Sequence, residues 1–227
     1  DCAALIPYSA DSGVLIIANG LGGQPGGDTA SKTAVRCLHD AIQSAIKSGV
    51  SLREAILDGF EHANRKILDA SNGSATTLAV VEIQANRIRP YHVGDSMILQ
   101  TGLRGKLKVQ SVAHSPVGYA VESGMIDQDE AVHHEERHLI SNVVGAKDMR
   151  IEIGAARKMA QHDTLILSSD GLFDNLYVDE IVEIIRKGKL DKAARTLLSL
   201  TQERMNHPEP ELPSHPDDLT FIIFRRQ

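Results

Sequence analysis

The chain is expected to fold as an α+β layered domain, and three observations predict it. Short apolar runs at 14–18 (VLIIA), 164–169 (TLILSS) and 219–224 (LTFIIF) are bounded by Gly, Pro and Asp, the pattern of buried strands. Two amphipathic helix patterns follow the first run in direct succession. After Gly73 the period changes to short β-prone segments separated by turn residues. Helices and strands grouped in separate runs argue against a βαβ alternation.

Each element follows from local signals. Asn19 closes the first run. Gly22-Gly23-Gln24-Pro25-Gly26-Gly27 reads as a loop without regular structure, after which Asp28 or Thr29 caps a helix running to about Lys47. Its buried stripe is Ala30, Ala34, Leu38, Ile42 and Ala45, and Gly49 stops it. Ser51-Leu52-Arg53-Glu54 reads as a capping box, in which the Ser and Glu side chains satisfy free backbone donors reciprocally. The second helix buries Leu52, Ile56, Phe60, Ala63 and Ile67 and ends near Asn72-Gly73. Residues 75–83, 87–93, 97–101 and 106–112, separated by turns at 84–86, 94–95 and 102–105, read as an antiparallel meander.

Residues 113–145 are polar, rich in His and Glu and poorly periodic, with a short helix expected at 128–134. A segment this long and irregular inside a domain reads as a flap over a site. Strands at 150–155 and 164–169, helices at 178–187 and 191–205, and a proline-rich loop at 207–215 lead to the last strand. No repeat, low-complexity tract or domain boundary is visible, so residues 1–227 are expected to form a single domain.

Bulk properties exclude several function classes. The chain has 227 residues, enough for one large core, and is 42% hydrophobic and 24% charged. A net charge of −6 with scattered basic residues disfavours a nucleic-acid surface. Cys2 and Cys37 form neither a disulfide framework nor a metal-ligand spacing, which points to a reduced, cytoplasmic setting. No apolar run has the length of a membrane span and no signal-peptide pattern appears. Asp1 leads almost directly into an apolar segment, so a few native residues are expected to precede it.

The residues that could carry chemistry are acidic. Asp1, Asp170, Asp174 and Asp217 sit at the edges of apolar runs, as does Asn19. Singly, each is an ordinary cap or turn residue. Together, with Gly20 and Gly171 following two of them, they suit a hard divalent cation, which prefers oxygen ligands and accepts backbone carbonyls where glycine allows close approach. Two ions about 3.5–4 Å apart are a standard arrangement for attack on phosphate esters.

Other chemistries find less support. The Gly20–Gly27 stretch lacks both the Gly-Lys-Ser/Thr ending and the Gly-x-Gly-x-x-Gly spacing of nucleotide loops. His134-Glu135-Glu136-Arg137-His138 satisfies His-Glu-x-x-His, but its flanks are charged instead of apolar. No Gly-x-Ser-x-Gly elbow is present.

At these residues the chain resembles the metal-dependent PPM/PP2C protein serine/threonine phosphatases of bacterial type, over nearly its whole length. Asp1 is similar to the Asp of the family's opening acidic motif, and Asn19-Gly20-Leu21-Gly22-Gly23 resembles Asp-Gly-x-Gly-Gly. Gly73-Ser74-Ala75-Thr76-Thr77 resembles the Gly-x-Thr-x strand start, and Val93-Gly94-Asp95-Ser96 resembles Val-Gly-Asp-Ser-Arg, with Met97 in place of Arg. Ser169-Asp170-Gly171-Leu172-Phe173-Asp174 is close to Ser-Asp-Gly-Leu-x-Asp, and Asp217-Asp218-Leu219-Thr220 resembles Asp-Asn-x-Thr.

The resemblance implies a four-layer αββα sandwich with two central antiparallel sheets flanked by helices. It implies two ions, Mn²⁺ or Mg²⁺, and a metal-bound hydroxide that attacks phosphoserine or phosphothreonine in a phosphorylated protein substrate. It also implies a cognate serine/threonine kinase as partner, and neither nucleic acid nor membrane. By position, Asn19 replaces the bridging Asp, the Gly20 carbonyl binds the second ion, and Asp170 and Asp217 bind the first. Asp1 and Asp174 act mainly through coordinated waters, and the flap at 113–145 lies beside the substrate.

Three departures stand out. The family's basic phosphate-binding residue lies upstream of its first Asp and has no counterpart here. The Asp that precedes the flap and binds a third ion is replaced by Ala113; the neighbouring His114 is a substitute within reach, but a satisfied His at the surface is the expectation. Asn19 offers one neutral acceptor where a carboxylate offers two anionic oxygens, a poor bridge between cations. Either an active enzyme carries an Asp→Asn change that stabilises a bound state, or the chain is naturally a weak phosphatase or a non-catalytic phosphoprotein-binding module. Retention of Asp170, Asp174 and Asp217 favours the first.

Overall fold

The computed structural model describes residues 1–21 and 26–226. The loop expected across Gly22-Gly23-Gln24-Pro25 lies outside the described residues. The elements in order are β1 (Cys2–Pro7), β2 (Ser12–Ala18), α1 (Gly27–Ser48), α2 (Leu52–Asp69), β3 (Leu78–Gln84), β4 (Arg87–Val93), β5 (Met97–Thr101) and β6 (Leu107–Gln110). Then follow α3 (Pro116–Glu122), α4 (Gln128–Ala131), β7 (Glu152–Ile153), β8 (Arg157–Lys158), β9 (Thr164–Ser168), α5 (Asp170–Phe173), α6 (Val178–Ile185), α7 (Leu190–Asn206) and β10 (Phe221–Arg225). The class is α+β with two antiparallel sheets and helices, as the sequence predicts.

Packing divides the chain into two compact units, each discontinuous in sequence: residues 1–96 with 142–158, and 97–141 with 159–227. In the first unit the strand order is β1-β2-β3-β4, and β7 and β8 share the far edge of β4. Alternate residues of these strands (Val14, Ile16, Leu78, Val80, Tyr91, Val93) form one core with Leu38 and Ile42 of α1 and Ile56 and Phe60 of α2. Each such fully buried side chain contributes about 1.5–3 kcal/mol of transfer free energy. The two helix stripes are buried at the positions their periodicity predicts.

Several expectations are corrected. β1 was not anticipated as a strand; it pairs with β2 from Cys2↔Ala18 to Pro7↔Gly13. α1 begins at Gly27 after Gly26 in a left-handed conformation (φ 91°), with no side-chain cap from Asp28 or Thr29. At α2, Ser51 Oγ accepts from the Glu54 N–H at 3.2 Å, the Ser half of the reciprocal box the sequence predicts. The meander is split: β3 pairs with β4 and β5 with β6, but β4 and β5 belong to different sheets. The turn at Gly94 directs the chain away, and alternation within each strand cannot reveal that change of partner.

In the second unit the strand order is β10-β9-β5-β6. Leu99 and Ile166 pack with Leu172, Phe173, Leu176, Ile181, Ile185 and Leu197 into its core. The segment expected as irregular holds α3, capped by Ser115 Oγ accepting from the Gly118 N–H at 2.9 Å with Pro116 at the first helical position. α4 ends at Ala131, three residues short of the expected His134. Residues 134–138 form turns instead of a helix, so His134 and His138 are not presented one turn apart on one helical face.

One buried polar pair sits under the first sheet. Tyr91 Oη donates to Glu82 Oε2 at 2.5 Å, and Gln84 Nε2 donates to Oε1 at 2.7 Å. Burial first, and the bond to Glu82 second, raise the Tyr91 hydroxyl well above its ordinary range. A raised folded-state pKa gives stability that is complete below the unfolded tyrosine value of about 10 and is lost as pH rises beyond it. Tyr91→Phe is expected to cost about 1.5–3 kcal/mol at pH 8, because a charged acceptor loses its donor. It should also flatten the decline above pH 10, which thermal melts at pH 8 and 11 check.

Candidate functional site

The predicted residues fall into two groups, one in each unit. In the first unit, β2 carries a run buried on both faces up to Ala18, and Asn19 follows. The register Cys2↔Ala18 places Asp1 opposite Asn19 at the same end of the ladder. Asp1 Oδ2 is buried there with no hydrogen-bond partner. The backbone of Asn19 is clamped: its N–H donates to Thr77 Oγ1 at 3.2 Å. Its carbonyl accepts from the Thr77 N–H and from Thr76 Oγ1, both at 2.8 Å.

Thr77 Oγ1 also hydrogen-bonds to Ser96 Oγ at 2.6 Å. A Cβ on Gly94 (φ 101°) would lie 2.6 Å from Thr77 Cβ. The 73–77 and 93–96 motifs thus interlock to fix the strand end that bears Asn19. Gly20 passes so close to Gly27 that a Cβ would meet its carbonyl oxygen at 2.2 Å. Glycine at position 20 is therefore required by the packing of the start of α1.

In the second unit, β9 is buried throughout and Ser169 follows it, ahead of α5. The Ser169 N–H donates to the Thr220 carbonyl at 3.0 Å, and the Thr220 N–H donates to Ser169 Oγ at 3.2 Å. These bonds bring the Asp217-Asp218 segment against the one-turn helix α5 that Asp170 opens. A Cβ on Gly171 would meet the Asp218 carbonyl at 2.1 Å, so only glycine admits this crossing. The Asp174 N–H donates to the Asp170 carbonyl at 2.8 Å. Burial first raises the Asp174 carboxyl above the usual carboxylate range, and the Asp217 charge adds to this; Arg137 and His215 oppose it.

Asn175 was not anticipated. It is fully buried, and Nδ2 donates to the carbonyls of Gly171 at 2.9 Å and His215 at 2.8 Å, while Oδ1 accepts from the His215 N–H at 2.8 Å. It brackets the α5 turn to the segment that delivers Asp217. Its adjacency to the 169–174 motif was the only signal. His114 is buried, not at the surface as expected, with its ring 6.5 Å from that of Tyr119. A cavity of about 360 Å³ between α1 and α2, lined in part by Cys37, Asp40, Asp58, His62 and Lys66, contains none of the predicted site residues.

The protein phosphatase 2C family model matches residues 3–211, a span that leaves Asp1 and Asp217 outside. Protein phosphatase PhpP of Streptococcus pneumoniae (serotype 2, strain D39) is 33% identical over 181 residues, covering 76% of this chain and 72% of the relative. The Streptococcus agalactiae serine/threonine phosphatase structure superposes with a TM-score of 0.76 at 26% identity, over 89% of this chain and 86% of that one. The catalytic domain of the phosphatase PstP, solved in complex with two manganese ions, superposes at 0.71 with 22% identity, over 97% and 89% of the two chains. That last likeness shows a shared fold. With one family model spanning most of its length and a relative one-third identical across three quarters of it, the chain belongs to the protein phosphatase 2C family, a family of enzymes.

Proposed function

We propose that the chain hydrolyses phosphoserine and phosphothreonine in proteins with two divalent cations, Mn²⁺ or Mg²⁺, and that Asn19 slows it. The carrying observation is that the pairing of β9 with β10 brings Asp170 and Asp174, just after β9, beside Asp217, just before β10, with Asp174 and Asp217 close enough for the one charge to raise the other's carboxyl. Carboxylates held together, Asp174 among them largely withdrawn from water, are stabilised by a cation that offsets their charge. The orphaned Asp1 Oδ2 in the first unit is a second oxygen suited to a hard ion or its water.

Asp170 and Asp217 would hold one ion, and the Gly20 carbonyl with Asn19 the other. Asp1 and Asp174 would accept hydrogen bonds from waters around them. Such ions lower the pKa of a bound water and offset charge on phosphoryl oxygens. Asn19 supplies one neutral acceptor at a position suited to a carboxylate, which lowers the ligand charge available to the ion it would hold. The residues 113–145 serve as a flap beside the substrate within a single phosphatase domain.

The relatives' printed names support a serine/threonine phosphoprotein as substrate and hence a serine/threonine kinase as the opposing enzyme. No helix among the described residues is long and apolar enough to cross a membrane. Asn19 favours a second reading, a non-catalytic module that binds phosphoproteins. The deciding experiment is hydrolysis of a phosphothreonine peptide across a Mn²⁺ titration. Turnover that rises with Mn²⁺ and stops on chelation supports the enzyme. Peptide binding without turnover, with Mn²⁺ bound, supports the module.

A further inference from the structure

Arg137 lies in the turns that follow α4, and its guanidinium reaches Asp174, with Nε 3.6 Å from Oδ2. Both side chains are largely withdrawn from water, at 22% and 19% exposure. Nε is itself buried and makes no hydrogen bond. At 3.6 Å the Nε–Oδ2 separation is beyond a short hydrogen bond, so the contact acts chiefly as charge against charge. A second tether holds the same stretch: His133 Nε2 stands 3.0 Å from Tyr177 Oη, and that hydroxyl donates to the Glu211 carbonyl at 3.2 Å.

We propose that Arg137 is a resident counter-charge that competes with divalent cations for Asp174, so that cation binding and the seating of residues 127–139 oppose each other. The inference rests on the reading above that the acidic residues hold such cations. A guanidinium stays charged at every accessible pH. It stabilises Asp174 among its acidic neighbours, and it repels an arriving cation. Because the pair lacks a well-formed hydrogen bond, a cation needs to overcome only a modest attraction to release it. Release leaves the His133–Tyr177 contact in place on the stretch. By reciprocity, if the cation weakens the Arg137–Asp174 contact, removing the contact tightens cation binding by the same factor. Arg137 is thus a positioning residue, acting through Asp174.

The test is calorimetric titration with Mn²⁺ of the chain, Arg137→Gln and Arg137→Lys, each also in an Asn19→Asp background. Arg137→Gln should tighten Mn²⁺ binding about fivefold, the lower end of typical coupling between sites. Arg137→Lys, which keeps the charge, should stay close to the parent. Unchanged or weaker binding by Arg137→Gln overturns the competition while leaving the cation site standing. Absence of Mn²⁺ binding by every form in both backgrounds overturns the cation reading and the competition together. A measurement without substitution at 137 guards against a variant that fails to fold: amide hydrogen exchange of residues 127–139 should quicken on Mn²⁺ addition. Slower or unchanged exchange with Mn²⁺ bound overturns the inference.

Discussion

Asn19→Asp raises phosphatase activity at least about tenfold at saturating Mn²⁺, equivalent to about 1.4 kcal/mol of barrier. The backbone at this position is fixed by Thr76 and Thr77, so the substitution changes the chemistry of the side chain and little else. Aspartate brings a second anionic oxygen and removes an amide donor. Greater ligand charge binds cations more tightly and offsets the charge that builds on the phosphoryl group. The check is peptide hydrolysis by the two forms side by side across a Mn²⁺ titration. Equal rates at saturation would remove Asn19 as the cause of any impairment and favour the binding module.

Asn175→Ala should destabilise the second unit by about 3 kcal/mol or more. One small buried side chain satisfies the buried Gly171 carbonyl and the carbonyl and N–H of half-buried His215. Truncation leaves all three wanting, and each unsatisfied buried group costs about 1–3 kcal/mol. The Asn175 carbonyl also accepts from Arg204 Nη1 at 3.0 Å, and Arg204 Nη2 donates to Glu180 Oε1 at 2.6 Å, so loss at 175 should spread toward α6 and α7. Asn175→Asp should be no milder, since a carboxylate can accept the His215 N–H but cannot donate to either carbonyl. Denaturant unfolding measures both. A loss below about 0.5 kcal/mol, the range of ordinary surface changes, would show that the bracket is dispensable.

Elements whose burial is one-sided or complete were legible in the sequence, because periodicity reports it. The stripes Ala30–Leu38–Ile42 and Ile56–Phe60–Ala63 are as buried as their spacing predicts. The apolar runs 14–18 in β2 and 165–167 in β9 read as strands covered on both faces. β1 was missed because an edge strand of CAALIP, with exposed Leu5 and a terminal Pro7, carries no clean alternation. The parting of β4 from β5 was missed because strand partners are chosen by long-range pairing, to which local pattern is blind. α3 did carry its signal, Ser115-Pro116, in a polar setting that hid it. The acidic residues were named from the strand ends they occupy. Arg137 and Asn175 act through contacts that only folding creates.

The turn from β1 to β2 gives Asp1 an unexpected dependence. Ser9, Asp11 and Ser12 form a small hydroxyl–carboxylate network there, with Ser9 Oγ 2.6 Å from Ser12 Oγ and both within 3.1 Å of Asp11 Oδ1. That exposed knot sets how β1 is threaded along β2. At about 3.3 Å per residue it stands some 20 Å along the strand from Asp1. Gaining or losing a single residue in the knot would slide β1 by one position and turn Asp1 to the opposite side of the sheet. The acid would then be lost to its site with every acidic residue intact, so the spelling of a solvent-facing hairpin tip governs where one oxygen points at the strand's far end.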